Sequence, residues 1–134
     1  MSVPMIVCGA AGRMGRTLIA LIDENDGAHL HAAVEMSGHE SIGVDAGKVA
    51  GRRELGVSVT DSYESVVTPE TVTLDFTIAD AAMEHLRTAV ATQAAIVIGT
   101  TGFDAAQRAR IGEAAKRIPI VLSPNFAIGV NVVF

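Results

Sequence analysis

Met5-Ile6-Val7-Cys8-Gly9-Ala10-Ala11-Gly12-Arg13-Met14-Gly15 is the stretch on which the fold turns. Its first four residues, with Val3 ahead of them, form a short apolar run that halts at Gly9, the pattern of a buried strand feeding a turn. From Arg13 the period changes. Met14, Leu18, Leu21 and Ile22 recur at three- and four-residue spacing, which predicts a helix with one apolar face ending near Asn25-Asp26-Gly27. A glycine-rich loop in that place lets the backbone turn sharply and lets a pyrophosphate approach its amides, while the helix N-terminus offers unpaired N–H donors and a positive dipole end. The spacing is Gly-x-x-Gly-x-x-Gly rather than Gly-x-Gly-x-x-Gly, so the loop points to a dinucleotide only together with its flanking strand and helix. The competing reading is that the glycines serve tight helix–strand packing alone.

The same alternation continues outward. Residues 30–34 read as a second strand, and Glu35 at its end is placed to accept hydrogen bonds from an adenosine ribose, unless it is simply an exposed strand-end acid. Residues 36–55, rich in glycine and charge, read as a long connection with at most a short helix, followed by a weak strand at 57–59 and a short helix at 63–67. A strand at 71–76, a helix at 81–92 carrying Met83, Leu86 and Val90, and a strand at 95–98 come next. Asp104 is placed to cap a last helix reaching Arg117, with Ile111, Ala114, Ala115 and Ile118 on one face, before a strand at 118–122. Apolar, β-branched strands alternating with helices predict a Rossmann-like, doubly wound α/β fold: a mostly parallel sheet with helices on both faces.

Composition narrows the function. At 134 residues, 49% of them hydrophobic, the chain matches one domain with a real core. A formal charge of −5 without a basic cluster argues against a nucleic-acid surface. Cys8, the single cysteine, cannot form an intrachain disulfide and reads as a small buried hydrophobe, which fits a reducing cytoplasm. Neither a signal peptide nor an apolar run of membrane-spanning length is apparent, so no membrane partner is expected.

Three strand ends fall at the carboxyl edge of the predicted sheet, where ligands bind in this architecture. They are Asp75-Phe76-Thr77, Gly99-Thr100-Thr101-Gly102-Phe103 and Ser123-Pro124-Asn125-Phe126. Taken singly, each is more often ordinary turn chemistry. No metal site is expected, because His29, His31, His39 and His85 lack cysteine or carboxylate partners at ligand spacing and read as core or surface histidines. Neither a nucleophile elbow nor a phosphate-binding loop ending in Gly-Lys-Ser/Thr is present.

Taken in order and spacing, Gly12-Arg13-Met14-Gly15-Arg16, Asp45-Ala46-Gly47, Asp75-Phe76-Thr77, Gly99-Thr100-Thr101-Gly102-Phe103-Asp104 and Asn125-Phe126 with Gly129-Val130-Asn131 resemble the N-terminal domain of the 4-hydroxy-tetrahydrodipicolinate reductases of lysine and diaminopimelate biosynthesis. The similarity spans essentially the whole chain. It implies that Gly9, Ala10, Ala11, Gly12, Arg13 and Met14 wrap the pyrophosphate and that Glu35 holds the adenosine ribose. It also implies that Phe76, Gly99, Thr100 and Thr101 together with Ser123, Pro124, Asn125 and Phe126 bind the cofactor, largely about its nicotinamide, Thr101 meeting the small-molecule substrate as well. NADH or NADPH would deliver a hydride to the cyclic dicarboxylate. The resemblance assigns residues 1–127 to the dinucleotide domain and 128–134 to the start of a hinge. It places the proton donor and the substrate-carboxylate ligands in a C-terminal domain, so that no catalytic residue lies in this chain. The expected picture is a shortened chain, silent by itself, of a cytoplasmic homotetramer. A stand-alone NAD(H)-binding regulatory module and the cofactor domain of another two-domain dehydrogenase are the alternatives, and the next stretch of coding sequence separates them.

Two positions depart from the family pattern. Met36 follows Glu35 where some members carry an arginine that meets the 2′-phosphate of NADPH, and Ile78 follows Asp-Phe-Thr where relatives often have arginine. NADH is therefore expected to bind at least as tightly as NADPH in calorimetric titrations, although Arg13 can still reach a phosphate; an NADPH preference of about tenfold, or roughly 1.4 kcal/mol, would overturn this.

Overall fold

Branched apolar residues on both faces of a strand demand cover on both sides of its sheet. At the end of the first strand Ile6, Val7 and Cys8 have no exposed surface. The computed structural model describes residues 2–122, so the strand-end segment at 123–126 and the expected hinge at 128–134 lie outside the described residues. The elements run β1 (Val3–Cys8), α1 (Arg13–Glu24), β2 (Ala28–Val34), α2 (Ala46–Val49), β3 (Val59–Thr60), β4 (Val72–Asp75), α3 (Ala79–Thr92), β5 (Ala95–Ile98), α4 (Ala105–Ala114) and β6 (Ile120–Leu122).

All six strands pair in parallel, in the order β3-β2-β1-β4-β5-β6. The chain thus builds outward from β1 in one direction, returns to the other side of β1 with β4, and builds outward again. That reversal opens a crevice at the carboxyl ends of β1 and β4, the place where ligands bind in open α/β sheets. One core packs Val7, Ala33, Leu74 and Val97 of the strands against Ile19 and Ile22 of α1. The other packs Ile6, Val34, Ile96 and Ile98 against Leu86 of α3 and Ile111 of α4. Helices therefore cover both faces, as the sequence pattern predicts.

Local details differ from that pattern where packing overrides periodicity. The buried face of α1 is Gly15, Ile19 and Ile22, whereas Leu21 is 56% exposed, because close approach of the loop at Gly15 rotates the helix toward its smallest residue. A Cβ at Gly15 would overlap the Gly9 carbonyl oxygen. On α3 the buried positions are Ala82, Leu86 and Ala89, with Met83 and Val90 only partly covered. Residues 63–67 form turns instead of a short helix; Tyr63 and Val67 are buried there as separate anchors. The capping box of α4 matches expectation: Asp104 accepts from the Gln107 amide at 2.7 Å, and Gln107 returns the bond to the Asp104 amide at 2.9 Å.

The long connection between β2 and β3 is organised by one carboxylate. Asp45 Oδ1 accepts from the backbone N–H of Gly47 at 2.8 Å and of Leu55 at 2.9 Å, and Oδ2 accepts from Gly56 at 2.8 Å. These bonds, led by the one from Leu55, hold the Asp45 carboxyl below the usual carboxylate range. A carboxyl whose folded value is depressed stabilises the fold above its unfolded value of about 3.9 and loses that contribution as pH falls through the folded value. Asp45→Ala is therefore expected to lower Tm by at least about 4 °C at neutral pH. Below about pH 4 the gap between variant and wild type should narrow as the wild-type carboxyl protonates. Thermal denaturation monitored by circular dichroism across that range checks both statements, and a gap independent of pH would contradict the second.

Candidate functional site

The site begins with the loop between β1 and α1. Gly9 takes φ +83°, and a Cβ there would stand 2.6 Å from the Phe76 carbonyl oxygen, so only glycine satisfies both the turn and the close approach of the β4 end. The Gly9 and Ala10 amides donate to the Val34 carbonyl at 2.9 and 3.1 Å, locking the loop to the end of β2. Ala10 is fully buried by this contact. Gly12 caps α1 without any side-chain hydrogen bond, which leaves the first-turn N–H groups of Arg13, Met14 and Gly15 without an intrahelical partner.

Glu35 comes from β2 to meet this loop. Its Oε2 accepts the Ala11 N–H at 2.9 Å, and its Oε1 accepts the Met36 N–H at 3.0 Å. The carboxylate is thereby fixed beside the helix N-terminus, with further lone pairs on each oxygen. Together they border a cleft of about 410 Å³, the usual size of a small-ligand site. The β1–α1 loop lines it with Gly9 and Gly12, the β2 end with Glu35 and Met36, and the β4–α3 turn with Phe76 and Thr77. Within the loop and first turn Ala10 is buried and Ala11 and Met14 are half-buried, and exposed Arg13 borders a separate hollow with Arg16 and Thr17.

The β5 end stands next to the β4 end. The Gly99 amide donates to the Asp75 carbonyl at 2.9 Å, and the place of a Gly99 Cβ is filled by the Phe76 ring. Thr100 is buried with its hydroxyl 3.5 Å from the same carbonyl, whereas Thr101 is exposed. Ser123, Pro124, Asn125 and Phe126 lie outside the described residues.

Sequence reasoning missed the floor and far wall of the cleft. Ser37, Asp61, Ala81 and His85 also line it, and the Ser37 hydroxyl donates to Asp61 at 3.2 Å. His85 has the carboxylate and cysteine neighbours that its sequence spacing concealed. Its Nδ1 is 2.6 Å from Oδ2 of the fully buried Asp75, and ligating atoms of Cys8, Asp75 and His85 lie within 4.8 Å of one another. Burial, then the charges of Asp75 and Glu35, push the Cys8 thiol up. The three side chains form a hydrogen-bonded aspartate–histidine pair beside a packed thiol. The available signal was an aspartate at a strand end followed by a histidine ten residues later on the next helix.

A family model described as dihydrodipicolinate reductase, N-terminus, matches residues 3–126. The chain belongs to that family. It is 46% identical over its whole length to a 4-hydroxy-tetrahydrodipicolinate reductase of Magnetococcus marinus, covering 50% of that protein. It is 45% identical over 98% of its length to one of Geotalea uraniireducens, covering 49%. The chain thus spans about half the length of the curated relatives it matches. Among solved structures, dipicolinate-bound dihydrodipicolinate reductase from Paenisporosarcina sp. TG-14 superposes with a TM-score of 0.75 over 96% of this chain and 49% of that one, at 24% identity. That likeness establishes the Rossmann-like fold of the dihydrodipicolinate reductase N-terminal domain here.

In this domain the wall between β4 and β5 depends on a missing side chain. Gly99→Ala is expected to cost about 1–3 kcal/mol by driving a methyl into the Phe76 ring. Adding Phe76→Leu should recover part of that loss. Urea denaturation of the two single variants and the double checks the coupling, and additive losses would show that the ring is not the obstacle.

Proposed function

We propose that this chain is the dinucleotide-binding half of an NAD(P)H-dependent 4-hydroxy-tetrahydrodipicolinate reductase. The observation that carries the reading is the cleft at the β1/β4 reversal, where an uncapped helix N-terminus, a glycine turn and the clamped Glu35 carboxylate converge. Open amides beside a helix N-terminus suit a pyrophosphate, and an acceptor-only carboxylate at the end of β2 suits ribose hydroxyls. The residues fit the cofactor: Gly12 adds no side chain at the N-terminus of α1, and the first-turn amides there have no intrahelical partner.

When bound, a reduced nicotinamide dinucleotide supplies the hydride. The chain's residues bind and orient it. Gly9, Ala10, Ala11, Gly12, Arg13 and Met14 form the pyrophosphate loop. Glu35 holds the adenosine ribose; Phe76, Gly99, Thr100 and Thr101 form the wall toward the reacting end, with Ser123, Pro124, Asn125 and Phe126 assigned there also. Thr101 is assigned to meet substrate. Reduction of 4-hydroxy-tetrahydrodipicolinate, in lysine and diaminopimelate biosynthesis, is the proposed reaction. Its proton donor and carboxylate ligands are assigned to the half of the relatives that this chain does not span. Residues 128–134 begin the connection, and the full-length assembly is taken as a cytoplasmic homotetramer.

Two carboxylates, Glu35 and Asp61, line the cleft, and no lysine or arginine does among the described residues. Negative charge there works against a 2′-phosphate, which supports NADH as at least an equal partner to NADPH. Calorimetric titration is expected to give saturable NADH binding that Glu35→Ala weakens about tenfold or more, through loss of charged hydrogen bonds. Absence of binding by folded protein would reject the reading.

A further inference from the structure

The ends of β1 and β4 and the middle of α3 bring three ligand chemistries together beside the cleft. They are the thiol of Cys8, the carboxylate of Asp75 and the imidazole of His85, with ligating atoms within 4.8 Å of one another. Cys8 and Asp75 have no exposed surface, and the His85 side chain is 16% exposed where it borders the cleft. His29, His31 and His39 belong to no such cluster among the described residues.

The donors are oriented from outside. Asp75 Oδ1 accepts the Thr77 N–H at 3.1 Å and the Thr77 hydroxyl at 2.6 Å, which leaves Oδ2 to face His85 Nδ1 at 2.6 Å. The Tyr63 ring backs the imidazole with centroids 4.8 Å apart, and a 2.6 Å bond between the hydroxyls of Tyr63 and Thr73 anchors it. Contacts of this kind fix the carboxylate and imidazole ligands of metal centres. The electrostatics also favour a cation. Burial raises the Cys8 thiol first, and the negative charges of Asp75 and Glu35 raise it further, so the field at Sγ favours positive charge there.

A divalent ion answers that field. One thiolate and one carboxylate cancel its charge, which leaves the occupied site neutral where burial penalises net charge. Sulfur, nitrogen and a single carboxylate are the donors of zinc and similar thiophilic ions, whereas magnesium and calcium demand several oxygens. Around a tetrahedral ion with bonds of about 2.0 Å, a carboxylate oxygen and a ring nitrogen stand roughly 3.3 Å apart. Exchanging the proton between Oδ2 and Nδ1 for the ion therefore parts them by less than about 1 Å, and the ring borders open space on its cleft side.

We infer that Cys8, Asp75 and His85 form a three-ligand site for a thiophilic divalent cation of the zinc type, with its fourth position open toward the cleft. Cys8 binds as the thiolate and its proton passes to solvent. The ion then ties β1, β4 and α3 together at one point. This goes beyond dinucleotide binding and does not depend on it.

Cobalt(II) is the probe, because a cobalt–thiolate bond gives intense near-ultraviolet charge-transfer absorption that nitrogen and oxygen ligands do not. The reduced chain is titrated with Co2+ and then with competing Zn2+, beside Cys8→Ala and His85→Gln, each verified as folded by thermal denaturation. Wild type is expected to develop the thiolate band to saturation at one ion per chain and to lose it to Zn2+. Its Tm should rise by at least about 4 °C in saturating Zn2+. Cys8→Ala should abolish the band and most of the Tm rise. His85→Gln keeps the thiol and should weaken Co2+ binding about tenfold or more. A folded wild type without the thiolate band overturns the inference, as does a Tm rise that Cys8→Ala retains, which would place the ion on other histidines. If Cys8→Ala fails to fold, His85→Gln decides, and unchanged Co2+ affinity there overturns the inference.

Discussion

Asp75 carries a carboxylate with no exposed surface at the carboxyl end of β4. A buried charge is tolerable only when its oxygens are answered by donors, because desolvation costs several kcal/mol. Here the donors are the amide and hydroxyl of Thr77 and the ring of His85. Meeting that requirement curls the chain after Phe76, starts α3 at Ala79 and draws the middle of α3 over the sheet. The backbone of the same residue receives Gly99 from β5. One residue therefore joins the strand that turns the topology around, the helix on its far side and the next strand end.

The opposite wall follows a similar logic with backbone donors. The glycine turn cannot close over a side chain at Gly9, and the Ala11 amide it turns outward is met by Glu35. The acid that marks the end of β2 is thus part of the loop's structure as well as a candidate ligand group. Its two roles are compatible because each carboxylate oxygen offers more than one lone pair. Between these walls lies a cleft whose polar groups are held by partners, the pre-organisation that reduces the cost of ligand ordering.

Much of this frame is legible in the residues themselves. The change from a strand period to a helical period at Gly9–Arg13, the branched runs at 95–98 and 118–122, and the capping aspartate at 104 follow from local sterics and hydrogen bonding, so neighbours in sequence suffice to read them. Where sequence and structure part, a tertiary contact outweighs a local tendency. Leu21 yields the buried face of α1 to Gly15 because the loop carbonyl leaves room only for hydrogen there. The turns at 63–67 replace a helix because Tyr63 is needed under α3, where it meets Thr73 and His85.

The sequence alone determined the fold class, the glycine loop, the acid after β2 and the family, since each is written in short motifs at fixed spacing. The tertiary structure decided what those motifs touch. Ala11 meets Glu35 across 24 positions, and the shorter step from Asp75 to His85 spans a turn and half a helix. Such pairings depend on the register of parallel strands and the rotation of helices upon them. That register is set by packing over the whole core, and no local spacing encodes it.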